Sequence, residues 1–180
     1  MSALLDLHLL DRLIEADGDA GVRDAGRDAG RPDLGTPDLG PPPPEPVRFF
    51  VLGDTGEGNE AQHEVADVME GLCATEGCDF AVLLGDNIYD VGLPREASKW
   101  YKTAERKLKA QLSVVKASHA HGLFVPGNHD WANGGKGGWA AVLRQEKFVN
   151  RTLGTSRSSF LPKGAHPGPE KVDRAGVRII

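Results

Sequence analysis

The 180-residue sequence lacks the features that mark membrane, nucleic-acid-binding and disulfide-stabilised proteins. No run approaches the roughly 18 to 20 consecutive apolar residues of a membrane-spanning helix. Two cysteines are too few for a disulfide scaffold, and aromatic residues make up only 6% of the chain. The net charge is -2 over residues 1–15, -4 over 16–46 and +1 over 47–180, so there is no basic stripe to favour nucleic acid. What remains is the composition of an ordinary globular protein.

The chain divides at about residue 46. Residues 1–15 place leucines on one helical face, which predicts a short amphipathic segment, and Asp6 and Asp11 make it a poor secretory signal. Residues 16–46 contain 13 Gly or Pro among 31 positions and little that can be buried, which predicts a disordered Asp/Gly/Pro-rich linker. The folded domain is therefore expected over residues 47–180.

From Val47 onward, apolar runs alternate with segments of helical periodicity. Strands are predicted over 47–52, 79–84 and 122–126, and helices after Asn59, over 98–116 and over 139–150. This order predicts an α/β fold, a layered and largely parallel sheet flanked by helices, in which functional sites collect at the carboxyl ends of the strands. Residues 177–180 look like the opening of another strand.

Each of the three predicted strands is followed by a polar cluster that begins with glycine. The clusters are Gly-Asp-Thr-Gly at 53–56, Gly-Asp-Asn-Ile-Tyr at 85–89 and Gly-Asn-His-Asp at 127–130. Because parallel strands end at one edge of a sheet, these clusters are expected to meet in space. Among their side chains are two carboxylates (Asp54 and Asp86), an amide (Asn128), a phenol (Tyr89) and an imidazole (His129), a donor set that suits Fe, Mn or Zn.

These three clusters resemble the first three of five motifs of the calcineurin-like metallophosphoesterases. The Gly-Asp-x-Gly start and the tyrosine three residues after Asp86 are most similar to the purple-acid-phosphatase branch. The resemblance covers about residues 47–180 and implies the fold of that family.

The resemblance also implies a role for each matching residue. The metal ligands it implies are Asp54 and Tyr89 on the first ion, Asp86 between both ions, and Asn128 on the second. His129 would face the substrate phosphate and help the leaving group depart. Asp130 would orient and charge His129 through a hydrogen bond.

The implied activity is metal-dependent hydrolysis of phosphate esters. Two metal ions, Fe with Fe, Zn or Mn, would lower the pKa of a bound water and supply hydroxide for attack on a small-molecule or protein phosphate ester. Nucleic acid is not expected as a partner.

Two later motifs of the family, Val-x-x-His and Gly-His-x-His, are missing from the sequence. They would supply three further histidine ligands, and the setting of His166 matches neither, so His166 is interpreted as a loop residue. We therefore expect the domain to be incomplete at its carboxyl end, as the amino-terminal part of a longer phosphoesterase. The alternative is a non-catalytic fragment or pseudoenzyme that retains the fold and binds metal or a phosphorylated ligand without turnover.

Two smaller features remain open on the sequence alone. Cys73 and Cys78 would form a local disulfide if the protein is exported and two free thiols otherwise, and no second Cys/His pair supports a zinc site. The linker resembles tethers that follow export signals, yet no usable signal is visible. Residues 131–138 would form either a mobile rim beside the metals, with Lys136 near a phosphate, or a plain turn.

Overall fold

A computed structural model describes residues 45–166 and 168–180. The amphipathic segment at 1–15 and nearly all of the predicted linker at 16–46 therefore lie outside the described residues. The strands are β1 (Phe49–Leu52), β2 (Phe80–Leu83), β3 (His121–Phe124), β4 (Ser158–Phe160), β5 (Val172–Arg174) and β6 (Val177–Ile179). The helices are α1 (Glu60–Glu76), α2 (Tyr101–Ser118) and α3 (Gly138–Leu153).

The main sheet is parallel throughout and its strands lie in chain order, β1-β2-β3-β4. Phe49 pairs with Phe80, Phe80 pairs with His121, and Gly122 pairs with Ser158. This confirms the predicted α/β class with a parallel sheet flanked by helices. Because β1, β2 and β3 run in the same direction, the segments that follow them all leave from one edge of the sheet.

Helix α1 begins where the sequence predicts. The Asn59 side chain accepts a hydrogen bond from the backbone N–H of Gln62 at 3.0 Å, which satisfies one of the unpaired donors at the start of the helix. The Gln62 side chain in turn accepts from the backbone N–H of Gly58. These two hydrogen bonds fix Gly58 and Asn59, which connect the first polar cluster to α1.

The three helices cover one face of the sheet and a hairpin covers part of the other. Ala81, Leu83 and Phe124 pack with residues of α2 and α3, and partly buried Phe50 and Leu52 pack against α1. This arrangement follows from three successive crossovers of the same hand along a sheet that grows in one direction. On the opposite face, the antiparallel hairpin β5–β6 places Val172, Val177 and Ile179 against Phe80, Val82, Leu123 and Leu161.

Three strands differ from the sequence-based expectation, and one of them, β5, was not predicted. The fourth strand of the main sheet is β4, a three-residue Ser-Ser-Phe segment that was not predicted because it has no run of apolar residues. The segment predicted to open a strand at 177–180 does form one, β6, but it belongs to the separate two-stranded sheet.

Several residues that the sequence left open have defined surroundings. Cys73 and Cys78 form a disulfide that ties the last turn of α1 to the residue before Asp79. His121 is buried at the start of β3, 3.0 Å from Ser159 Oγ, and burial together with the nearby Arg174 lowers its pKa. No helix in the described ranges is long and apolar enough to cross a membrane.

Candidate functional site

The three polar clusters meet at the carboxyl edge of the sheet with their backbones in direct contact. A Cβ atom added to Gly127 would lie 2.3 Å from Asp86 Oδ1, and one added to Gly56 would lie 2.4 Å from the carbonyl carbon of Asn87. Glycine is required at both positions because no side chain fits there. Backbone hydrogen bonds from Asp54 N to Gly85 O, at 3.0 Å, and from Tyr89 N to Gly56 O, at 3.1 Å, join the first two clusters.

Three of the predicted ligands present their oxygen atoms to one another. The Tyr89 hydroxyl donates to Asp54 Oδ1 at 2.8 Å and lies 3.2 Å from Asp86 Oδ2. The hydrogen bond to Asp54 is the main cause of a pKa for Tyr89 well above its usual value, with contributions from burial and the charge of Asp86. The phenol proton therefore lies between two carboxylates, whose negative charge would also favour a cation at this position.

The two carboxylates leave their strands in a strained conformation. Asp54 has a φ of 57° and Asp86 a φ of 50°, in the left-handed region that side chains other than glycine seldom adopt. Asp86 is nearly buried, and its Oδ1 accepts a hydrogen bond from the backbone N–H of His129 at 3.0 Å. Backbone strain held in place by such contacts is typical of functional sites.

Asn128 is held by Asn133, a residue that no sequence motif singles out. Its Nδ2 donates to Asn133 Oδ1 at 2.8 Å, and Asn133 N donates back to the Asn128 carbonyl at 2.7 Å. With its amide nitrogen engaged by Asn133, the Asn128 side chain has its oxygen left for a cation. The segment at 131–138 therefore includes a short helical turn that supports a predicted ligand, whereas Lys136 in the same segment is exposed to solvent.

His129 lies beside Tyr89, but its partner is not the predicted one. Its Nδ1 is 2.8 Å from the backbone carbonyl of Asp90, and its ring meets the Tyr89 ring edge to face with centroids 4.5 Å apart. A carbonyl accepts only, so His129 donates from Nδ1, and Nε2 is the ring nitrogen that this hydrogen bond does not use. The hydrogen bond between Asp130 and His129 that the resemblance implies is not made in the structure, where the Asp130 carboxylate has other partners.

Asp130 instead joins the second and third polar clusters to each other and to α3 through hydrogen bonds. It is fully buried, and its Oδ2 accepts from Gly127 N at 2.9 Å, from Asn87 N at 3.0 Å and from Asn87 Nδ2 at 3.2 Å. Its Oδ1 accepts from Gln145 Nε2 at 2.8 Å and from Ile88 N at 3.1 Å. Burial raises the pKa of Asp130, and these donors work in the opposite direction because they favour the carboxylate.

Two further observations concern the expected metal set. His166 is exposed and packs edge to face on Trp139, in agreement with its interpretation as a loop residue. Within residues 45–166 and 168–180, no group of three or more His, Cys, Asp or Glu side chains is placed to hold a metal ion. The four predicted ligands do not form such a group because only Asp54 and Asp86 are carboxylates. The other two, Tyr89 and Asn128, supply a phenol and an amide.

Comparison with known proteins agrees with this geometry. The family model of the calcineurin-like phosphoesterases matches residues 47–172, which include β1 to β4 and all three polar clusters. A search of curated proteins found no significant match to the chain.

Proposed function

Because the chain belongs to the calcineurin-like phosphoesterase family, whose members hydrolyse phosphate esters with the help of metal ions, we propose that it does so at a two-metal site held by Asp54, Asp86, Tyr89 and Asn128. The observation that carries the proposal is the convergence of Asp54 Oδ1, Asp86 Oδ2 and the Tyr89 hydroxyl at 2.8 and 3.2 Å. Asp86, which contacts Tyr89 through Oδ2 and His129 N through Oδ1, is the candidate ligand that both ions would share.

The donor set fits hard cations. Carboxylate, phenol and amide oxygens are ligands of Fe and Mn, and a positive charge would replace the phenol proton that now lies between the carboxylates. When bound, two such ions lower the pKa of a water molecule and neutralise the phosphoryl oxygens.

The residues of the chain supply proton transfer and positioning. Hydrolysis adds the oxygen of water to phosphorus and breaks the bond between phosphorus and the ester oxygen, which leaves as the alcohol with one proton. Nε2 of His129 is the group that moves this proton, since Nδ1 is held by Asp90 O. Asn133 and Asp130 keep Asn128 and the loops in place.

The finer comparison with the purple acid phosphatases predicts a colour. If Tyr89 binds ferric iron as a phenolate, the iron-loaded protein should absorb visible light. Tyr89→Phe should abolish the absorption band and leave the fold intact, because only one hydroxyl is removed. Visible absorption spectra of samples with matched iron content check the loss of the band, and far-UV circular dichroism checks that the fold is intact. A parent protein that binds iron and stays colourless would remove Tyr89 from the ligand set.

A second function remains in competition. Three histidine ligands implied by the family are not present in the sequence, and the described residues hold no cluster of three His, Cys, Asp or Glu side chains. In this second function, the domain would bind metal or a phosphorylated ligand without turnover, because it would lack the ligands that complete the metal site.

Metal-dependent turnover separates the two functions. The parent protein, loaded with Fe, Mn or Zn, is assayed with an aryl phosphate beside Asp86→Asn and a matched control, Asp67→Asn, on the exposed side of α1. We expect slow, metal-dependent hydrolysis by the parent protein. Asp86→Asn should lower its rate by at least about tenfold, and Asp67→Asn should leave the rate unchanged. Metal binding by calorimetry without any hydrolysis in the parent would establish the non-catalytic alternative instead.

A further inference from the structure

Trp100 is a large aromatic residue that remains exposed at the start of α2. It precedes the first residue of α2, and the start of the helix is capped two residues earlier by Ser98, whose Oγ accepts a hydrogen bond from Trp100 N at 3.3 Å. Its side chain is also 63% exposed, so burial contributes little. Lys99 Nζ lies 4.9 Å from the centroid of the Trp100 ring, and the exposed part of the ring is accessible to a ligand.

Trp100 lines a cavity of about 310 Å³ between the loop after Tyr89 and the first turns of α2. This volume lies in the range of small-molecule sites. Most of the lining is apolar and includes Val91, Pro94 and Ala104, while Asp90 and Lys107 contribute one charge of each sign. The cavity therefore suits a flat apolar group with little net charge.

The cavity adjoins the candidate metal centre through shared residues. Tyr89 lines it and also donates to Asp54, and Asp90 lines it while its carbonyl holds His129 Nδ1 at 2.8 Å. Lys107 Nζ donates to the Tyr89 carbonyl at 2.9 Å, which fixes the loop against α2. The cavity thus shares Tyr89 with the candidate metal centre, and Asp90 links it to His129, the residue that would protonate the departing alcohol.

We propose that this cavity receives the aromatic leaving group of an aryl phosphate, with its ring stacked on Trp100. The assignment rests on the proposed function, and it adds the substrate class and a specificity-determining residue. Stacked or edge-to-face aromatic pairs contribute beyond the area that they bury, and tryptophan offers the largest ring for the purpose. A small alkyl ester would bind through its phosphate alone and gain nothing from Trp100.

Two esters distinguish this role from a general effect on the site. Steady-state kinetics with 1-naphthyl phosphate and ethyl phosphate are compared in the metal-loaded parent, in Trp100→Ala and in Trp139→Ala, a second exposed tryptophan outside the cavity. Trp100→Ala should raise KM for the naphthyl ester about tenfold, the loss expected for one aromatic contact, and leave KM for the ethyl ester within about twofold. Trp139→Ala should change neither. An equal change for both esters, or no change, would overturn the proposal.

Binding of the product separates failure of the subsite from failure of the function. The fluorescence of 1-naphthol is titrated with the metal-free protein, and we expect binding that Trp100→Ala weakens about tenfold and Trp139→Ala retains. Hydrolysis of both esters without any effect of Trp100 on KM or naphthol binding would refute the subsite and leave the proposed function standing. Naphthol binding at Trp100 without hydrolysis of either ester would refute the leaving-group assignment together with the proposed function.

Discussion

Replacing His129 with alanine is expected to lower kcat by about 100- to 10,000-fold, the range typical of a general acid or base. The loss should be in turnover rather than in metal content, because no side-chain contact joins the His129 imidazole to Asp54, Asp86 or Asn128 in the described part of the chain. The hydrogen bond from His129 Nδ1 to the Asp90 carbonyl fixes the orientation of the imidazole ring. The methyl group of alanine can neither donate nor accept a proton at this position.

The measurement pairs turnover of an aryl phosphate with metal analysis of the same samples. His63→Ala, which removes an exposed histidine from α1, is the matched control and should leave both quantities unchanged. If metal content falls in step with kcat in His129→Ala, the residue belongs to the ligand shell and the proton-transfer role is lost.

Asp130→Asn is expected to lower the free energy of unfolding by about 3 kcal/mol or more, because the buried carboxylate accepts five hydrogen bonds from N–H donors. An amide has only one acceptor oxygen, so its NH₂ group would face donors that need an acceptor. A loss of this size is a large fraction of the stability of a typical domain. Urea unfolding followed by circular dichroism measures it.

The same substitution at Asp67, on the exposed side of α1, should change the stability by less than about 0.5 kcal/mol. Activity gives an independent reading in conditions where both proteins are folded. If Asp130→Asn were as stable as the parent but lost most of its turnover, Asp130 would act on His129 after all, through a rearrangement that this structure does not contain.

Much of the fold was predictable because periodicity and capping are local. The runs that became β1, β2 and β3 are apolar, Asn59 caps α1 as its spacing with Gln62 indicated, and three glycine-led clusters at strand ends converge as a parallel sheet requires. The strand β4 escaped because its three residues include two serines, and its place is set by pairing with β3 rather than by its own sequence.

The contacts that support the site were harder to predict, for a physical reason. His129 is held by a backbone carbonyl, and every residue has one, so the identity of Asp90 carries no signal. Asp130 follows His129 directly, yet its carboxylate turns away toward the backbone N–H groups of the neighbouring loops. Asn133 binds Asn128 only because the chain makes a tight turn between them. Trp100 lies outside the three motifs and lines a cavity together with Tyr89 only in the folded protein.

The glycines where the three clusters touch restrict how such a site can diversify. With Gly56 and Gly127 in contact with the neighbouring backbone, insertion of even a methyl group would displace Asp86 and its surroundings. Evolution can therefore exchange the side chains that project from this frame, but it cannot readily reshape the frame itself. New substrate preferences would have to arise in the outer walls, at positions such as Val91, Pro94 and Trp100, where the chain has room to vary.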